Sequence, residues 1–246
     1  MVTVTAAPAV AHHGPLPWVG GIAVEGPFET YAGQLASELS RRPVKVYCNG
    51  ATDWSQLAVQ QRFDPVTVWG YVLFTWDSVT ETLHPADYVH LSEQACWYLD
   101  EYWGAPAEMK GKTCRLASRI EFKKQTTKTR VTKRVKVNGR WVKKVVIVEK
   151  TRDVSVETPQ YGTCPDYMYR VFSIQALAHE AMHLSGIADE GQAECEGMQR
   201  LRWVAQRFGA TGEQARQMAF DYYHDFYLVR RPGTPYYLSG CPNPAP

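Results

Sequence analysis

Long apolar runs are missing from this chain of 246 residues. The longest candidate, residues 66–74, predicts a strand and is far shorter than the roughly 18 to 20 apolar residues that cross a bilayer as a helix. We therefore expect no transmembrane segment. With 45% hydrophobic and 12% aromatic residues, the chain can bury a sizeable core without the help of disulfide bonds.

Closely spaced cysteine pairs are also missing. No CxxC motif is present, so nothing supports a second zinc site or a thioredoxin-like redox motif. An even, scattered set predicts up to three disulfide bonds in an oxidising compartment, with the connectivity open. We expect an extracellular or cell-envelope protein and leave the cytoplasm open, because free cysteines are often buried apolar residues. The six cysteines are Cys48, Cys96, Cys114, Cys164, Cys195 and Cys241.

The start of the chain lacks the basic region that opens a signal peptide. Residues 1–11 are apolar and end in Ala-Val-Ala, which resembles a signal-peptidase site. Residues 1–27 are rich in Ala, Pro and Gly and predict a flexible segment without a fold of its own. The sequence leaves open whether this segment is a cleaved leader.

Acidic residues are nearly missing from residues 123–152, which hold twelve Lys and Arg against the single acid Glu149. This stretch has a net charge of +11, and the rest of the chain, with fifteen bases and twenty-four acids, has −9. Apolar and basic residues alternate on either side of Asn138-Gly139, a pair that favours a tight hairpin turn. We predict a basic β-hairpin inserted at about residues 123–157.

The charge of this hairpin predicts attraction to an anionic polymer or surface, such as teichoic acid, nucleic acid or an anionic membrane. In the alternative interpretation, the lysines only keep exposed strand edges from aggregating. No signature of an RNA- or DNA-binding module accompanies the hairpin.

The most informative stretch of the chain reads HExxH. His179 and His183 are four residues apart, so they lie on one face of a helix and can both reach one Zn²⁺ ion. Glu180 is then positioned to act on the attacking water. Apolar residues spaced three and four apart precede the motif, and Gly186 supplies a helix end.

A third ligand has two adjacent candidates, Asp189 and Glu190. The motif resembles zincin metallopeptidases, and similarity to the metzincins implies Asp189, whereas similarity to the gluzincins implies Glu190 on a second helix. We favour Glu190, because Asp189 also suits the N-cap of that helix. No Met-turn is recognisable, which counts against the metzincin interpretation. Glu194 and Glu196 are predicted to be solvated.

The resemblance extends loosely to uncharacterised bacterial zincin-like proteins. It implies a zincin-like domain over residues 28–246 and a zinc cofactor. From the residues themselves we predict a helix over 28–39, a strand over 44–48, a strand within 66–74 and a helix over 85–102. Three further helices are predicted between residues 166 and 230. The predicted class is α+β: one domain with a small sheet, an active-site helix bundle and the inserted basic hairpin.

The predicted function is zinc-dependent hydrolysis of a peptide or protein substrate. Glu180 acts as general base on a zinc-bound water, and Tyr222, Tyr223 and His224 are candidates to stabilise the oxyanion. One alternative is a non-catalytic zincin scaffold that binds cell-envelope or other polyanionic polymers through the hairpin. Another is a structural zinc site closed by both Asp189 and Glu190.

Overall fold

The computed structural model describes residues 26–230 and 234–244, apart from the side chains of residues 115–117. The structure is α+β, as predicted, with six α-helices in the described residues and three small sheets. The prediction of a flexible segment over residues 1–27 falls mostly outside the described residues. Its boundary was too late, because Pro27 already begins the first helix.

The α-helices are α1 (Pro27–Ser40), α2 (Ala51–Gln61), α3 (Glu93–Gly104), α4 (Tyr167–Leu184), α5 (Glu190–Arg207) and α6 (Gly212–Tyr222), the last continued by a π-helical turn (Tyr223–Tyr227). The strands are β1 (Lys45–Asn49), β2 (Gly70–Tyr71), β3 (Phe74–Asp77), β4 (Thr82–Pro85), β5 (Tyr88–Ser92), β6 (Thr113–Val137) and β7 (Arg140–Thr163). The predicted helix over 28–39 and strand over 44–48 are confirmed within two residues.

Two predicted elements were wrong. The helix expected over residues 85–102 begins only at Glu93, because Ser92 caps it by accepting a hydrogen bond from the Ala95 backbone N–H. The residues before it form β5, whose central residues are completely buried and so lack the alternation that marks a half-buried strand. The expected strand within residues 66–74 is replaced by two short strands, β2 and β3, in different sheets.

The main sheet has the order β1-β5-β2, with β1 parallel and β2 antiparallel to β5. Strands β3 and β4 form a separate antiparallel pair. Helix α4 lies at the centre of the helices and packs against α1, α3 and α5. It is buried on nearly every side, as expected for a helix with neighbours all round. The central helix and the sheet edge at β2 position the candidate site.

Two disulfide bonds are formed, in agreement with the prediction of up to three. Cys48–Cys96 joins β1 to α3, and Cys195–Cys241 joins α5 to the C-terminal segment. Cys114 and Cys164 are buried free thiols. Within the described ranges, none of the helices has both the length and the apolar character needed to cross a membrane.

The long hairpin of β6 and β7 is confirmed, and it turns at Asn138-Gly139, where both residues have positive φ. Its strands extend well beyond the expected 123–157. The chain divides into two compact units. We call residues 115–162 the ribbon, and the described part of the remainder, residues 26–114 and 163–244, the helical unit.

Candidate metal centre

Helix α4 presents His179 and His183 side by side, with ring centroids 4.6 Å apart. The Nδ1 atom of His183 lies 2.7 Å from the carbonyl oxygen of Ile187, and Nδ1 of His179 lies 2.9 Å from a Glu194 carboxylate oxygen. Each Nδ1 therefore carries the proton that it donates to its acceptor, which leaves Nε2 as the ring nitrogen that can bind a metal ion. Both Nε2 atoms point to one place.

Glu190, in the first turn of α5, brings the third donor atom to this place. Its Oε2 lies 3.1 Å from Nε2 of His179 and 3.4 Å from Nε2 of His183, and the two nitrogens are 3.0 Å apart. Ligands about 2.0–2.1 Å from a tetrahedral zinc ion are separated by about 3.3 Å. Among the described residues, these three form the group that could hold a metal ion.

Asp189 does not join that group. Its side chain caps α5 and accepts a hydrogen bond of 2.7 Å from the Gln192 backbone N–H, which is the N-cap role weighed against ligation. The turn from α4 to α5 passes through Gly186, whose φ of +104° suits a residue without a Cβ. The turn thus places Glu190 beside the histidines and leaves Asp189 at the helix end.

Glu194 was predicted to be a solvated charge, and this was wrong. Its side chain is buried and accepts hydrogen bonds from four groups, because it lies one helical turn after Glu190 on the face of α5 that packs against α4. The donors are Nδ1 of His179 at 2.9 Å, Nε2 of Gln175 at 3.2 Å, a guanidinium nitrogen of Arg230 at 2.7 Å and the hydroxyl of Tyr222. Glu196 is half-buried.

The electrostatics of the cluster favour a cation. Burial lowers the pKa of His179, but hydrogen bonds to Glu190 and Glu194 outweigh it and raise that pKa to about 10. Burial alone would raise the pKa of each glutamate, yet the histidines lower the pKa of Glu190 and Glu194 to about 2. Two carboxylates that stay ionised around two imidazoles therefore prefer a bound cation, whether a proton or a metal ion.

Glu180 is buried beside this cluster and lines the same cleft. Burial raises its pKa, and within the described residues its Oε2 has no hydrogen-bond partner. Strand β2 passes so close that a Cβ on Gly70 would lie 2.4 Å from Cγ of Glu180. Burying a carboxylate oxygen without a hydrogen-bond donor costs free energy, so a donor bound in the cleft would stabilise Glu180.

The cleft has a volume of about 510 Å³ and aromatic walls. Phe74 meets the ring of His183 edge to face at 5.8 Å, and Phe63 stacks on Tyr71 at 5.2 Å. Such a pocket, with aromatic walls and converging polar groups, is typical of binding sites for organic ligands.

The three predicted oxyanion residues are not the ones that the structure offers. Tyr222 lines the cleft, but its hydroxyl is buried against Glu194. Tyr223 and His224 are absent from the cleft wall and lie in the π-helical turn. Tyr236 is the residue missed: it lines the cleft, and its ring lies 5.9 Å from that of His179. Burial raises the pKa of Tyr236 to about 12, so its hydroxyl keeps its proton.

The segment that carries Tyr236 is held against α5 and the π-helical turn by several contacts. The Cys195–Cys241 bond anchors it, the ring of Tyr237 stacks on Tyr227 at 5.7 Å, and the hydroxyl of Tyr227 donates to the Leu238 carbonyl. Nothing in the local sequence around Tyr236 indicates a site, because its position depends on this distant anchoring.

Comparison of the chain with protein-family models, with curated proteins and with solved structures gave no match.

Proposed function

We propose that this protein is a zinc-dependent metallopeptidase. One observation carries the proposal: three donor atoms 3.0–3.4 Å apart share a cleft with a carboxylate oxygen of Glu180 that has no hydrogen-bond partner among the described residues. The three donor atoms suit a metal ion, and the carboxylate oxygen of Glu180 suits a water molecule next to that ion. A helix that carried these residues only for solubility would have no reason to bury them.

The donor set favours zinc among the common metal ions. Two imidazole nitrogens and one carboxylate, with a further position open, make up the ligand set of catalytic zinc sites. Calcium and magnesium prefer ligand sets made of oxygen atoms. The capping role of Asp189 supports an open fourth position over a closed structural site, because that carboxylate is bonded to its own helix.

His179, His183 and Glu190 would hold the zinc ion, which would supply Lewis-acid chemistry for polarising a peptide carbonyl and for making a water molecule more acidic. Glu180 accepts the proton of the attacking water, and its raised pKa brings it closer to neutral pH, where proton transfer in both directions is efficient. The same carboxyl group then donates that proton to the departing amine nitrogen. Glu194 holds His179 in the tautomer whose Nε2 faces the ligand position.

Tyr236 is the candidate to stabilise the negative charge that develops on the carbonyl oxygen. It lines the cleft, and its raised pKa keeps the hydroxyl as a hydrogen-bond donor. The hydroxyl of Tyr222 donates its hydrogen bond to Glu194 and is therefore not available to stabilise the oxyanion.

Metal analysis is the first test. The purified protein should contain one zinc ion per chain, and His179→Ala should contain none. The matched control is His84→Ala, because His84 is an exposed histidine on β4 and its loss should leave the zinc content unchanged. Zinc retained by His179→Ala, or no zinc in the parent chain after dialysis against zinc, would rule out the metal centre.

Activity is tested separately with Glu180→Gln and a library of unfolded proteins as substrates. We expect this variant to keep its zinc and to lose about 100- to 10,000-fold in turnover, the range for removal of a general base. If the protein is instead a non-catalytic scaffold, the parent and the Glu180→Gln variant would both be inactive and would bind polyanionic polymers equally well.

We also propose that the protein works outside the cytoplasm, at the cell surface or beyond it. The two disulfide bonds support this location, because such bonds persist mainly in oxidising compartments. Counting the free thiols of protein isolated from its native compartment tests it: two are expected, and six would contradict the proposal.

A further inference from the structure

The ribbon has two faces of different chemistry. A hydrogen bond of 2.9 Å between the hydroxyls of Thr126 and Thr151 and an ion pair of 2.7 Å between Lys128 and Glu149 fix which residues oppose each other. Side chains alternate between the faces along each strand. One face, which we call the valine face, carries near the turn the six residues Val131, Val135, Val137, Val142, Val146 and Val148.

The valine face lacks cover within the described residues. The ribbon is a sheet of two strands only; Val131, Val142 and Val137 are 37%, 43% and 49% exposed, and Val135 and Val146 are half-buried. Hairpins of two strands are marginally stable in water unless something packs on them. Contiguous exposed apolar side chains of this kind mark a surface that receives a partner.

The same stretch places like charges opposite each other. In the register given above, Lys133 opposes Lys144 on the valine face, and Arg134 opposes Lys143 on the other face. Directly opposed like charges destabilise a strand pair. An anionic partner at the valine face would relieve the repulsion between Lys133 and Lys144, and the net charge of +11 over residues 123–152 would draw it to the ribbon.

We propose that the ribbon docks on the surface of an anionic lipid bilayer through its valine face. A bilayer satisfies both features at once, because valines enter the boundary between headgroups and acyl chains while Lys133 and Lys144 meet lipid phosphates. A nucleic acid would neutralise the charges and leave the valines in water. A second ribbon would cover the valines, but it would bring together two segments that each have a net charge of +11 over residues 123–152. This inference is independent of the proposed peptidase activity.

Co-sedimentation with vesicles tests the proposal with the full chain. We expect binding to vesicles of phosphatidylglycerol and phosphatidylcholine in equal parts, and no binding to phosphatidylcholine alone. The double variant Lys133→Gln with Lys144→Gln should weaken binding about fivefold for each charge removed. Binding of the parent to both kinds of vesicle, or to neither, would overturn the proposal.

A second pair of variants tests the valine face at constant charge. Val135→Thr with Val142→Thr replaces two opposed valines by residues of similar shape and equal strand preference, and should reduce vesicle binding about tenfold. The matched control, Val145→Thr with Ile147→Thr, changes two apolar residues of the opposite face and should bind like the parent. Both variants should keep the parent's melting temperature, which shows that the helical unit is intact.

Three results would overturn the proposal. If the two threonine variants bind vesicles equally, the valine face is not the docking surface. If a soluble single-stranded nucleic acid binds more tightly than the anionic vesicles, the partner is a linear polyanion. If the parent sediments as a dimer without lipid and the Val135/Val142 variant as a monomer, the face joins two copies of the chain.

Discussion

The helical unit and the ribbon differ in how their charged side chains are arranged. In the helical unit, Glu190 and Glu194 lie within hydrogen-bond distance of His179, and Arg230 pairs with Glu194. In the ribbon, lysine opposes lysine, and the residues that surround the turn are exposed. Around the candidate metal centre, the charges of the helical unit are therefore paired by neighbouring residues, whereas the ribbon has a surplus of positive charge.

This difference separates two kinds of site. A cluster of buried, mutually paired charges fixes positions to within tenths of an ångström, which suits metal binding and catalysis. An exposed surplus of charge acts over a Debye length of about 8–10 Å and suits attraction of large partners. Removing one of the paired charges of the helical unit should therefore lower its stability strongly, whereas removing a charge of the ribbon should change its stability little.

The largest effect is expected for Glu194→Ala. Loss of this carboxylate frees His179 to turn and leaves Arg230 without its buried partner. Zinc affinity should fall about 10- to 100-fold and the free energy of unfolding by about 3 kcal/mol or more. Competition with a chelator and urea unfolding measure the two effects. Glu196→Ala is the control on the same helix, and an equal loss there would show that any acid on α5 matters.

The titration of His90 is expected to change the free energy of unfolding by about 3 kcal/mol or less. Burial lowers its pKa from 6.5 to about 4, so the unfolded chain takes up a proton below pH 6.5 that the folded chain refuses until about pH 4. This contribution to stability is complete above pH 6.5 and is lost as the pH falls to 4. Urea unfolding without metal should show a weaker pH dependence for His90→Gln than for the parent; the exposed His84→Gln should behave like the parent.

The close contact between α4 and α5 is tested by Gly197→Ala. A Cβ at this position would lie 2.8 Å from the His179 backbone nitrogen and 2.9 Å from its Cα, so the helices must separate. We expect a loss of about 1–3 kcal/mol, seen as a lower melting temperature, together with weaker zinc binding. Gly212→Ala, whose nearest neighbour would be 3.5 Å away, should show neither change.

A smaller effect of opposite sign is expected in the ribbon. Lys144→Glu turns its cross-strand pair with Lys133 from repulsive to attractive and should stabilise the ribbon by less than about 1 kcal/mol. Hydrogen exchange of amides near the turn should slow, while amides of α4 should exchange as before. Faster exchange near the turn would mean that the opposed lysines do not repel each other.

The smallest effect is expected for the helical unit when the ribbon is shortened. Replacing residues 121–156 by Asn-Gly should leave the zinc content and the melting temperature unchanged within error, because the ribbon is a compact unit by itself. Loss of folding would show that the ribbon belongs to the core.

The sequence predicted the parts of the site that depend on local spacing. His179 and His183 follow from one helical turn, Glu190 and the cap at Asp189 follow from the start of the next helix, and the Asn138-Gly139 turn follows from its dipeptide. Glu194 could have been found by the same reasoning. It lies four residues after Glu190 and must therefore share its helix face.

The parts that were missed depend on long-range contacts. Tyr236 reaches the cleft only because a disulfide bond ties its segment to α5, and the spacing of its neighbours carries no trace of that bond. Residues 88–92 were taken for helix because Leu91 has helical spacing with residues further on, yet two neighbouring strands make this segment the middle of a sheet. Tertiary pairing overrode a local pattern.

The three donor residues of the metal centre are close together along the chain as well as in space. His179 and His183 are four residues apart, and Glu190 follows seven residues later. The entropy lost on closing a loop grows with the logarithm of its length, so joining these residues around an ion restricts the unfolded chain very little. A zinc ion bound there, as proposed above, would therefore be captured by a short segment before the distant strands and the C-terminal segment have met, and it would take part in folding from an early stage.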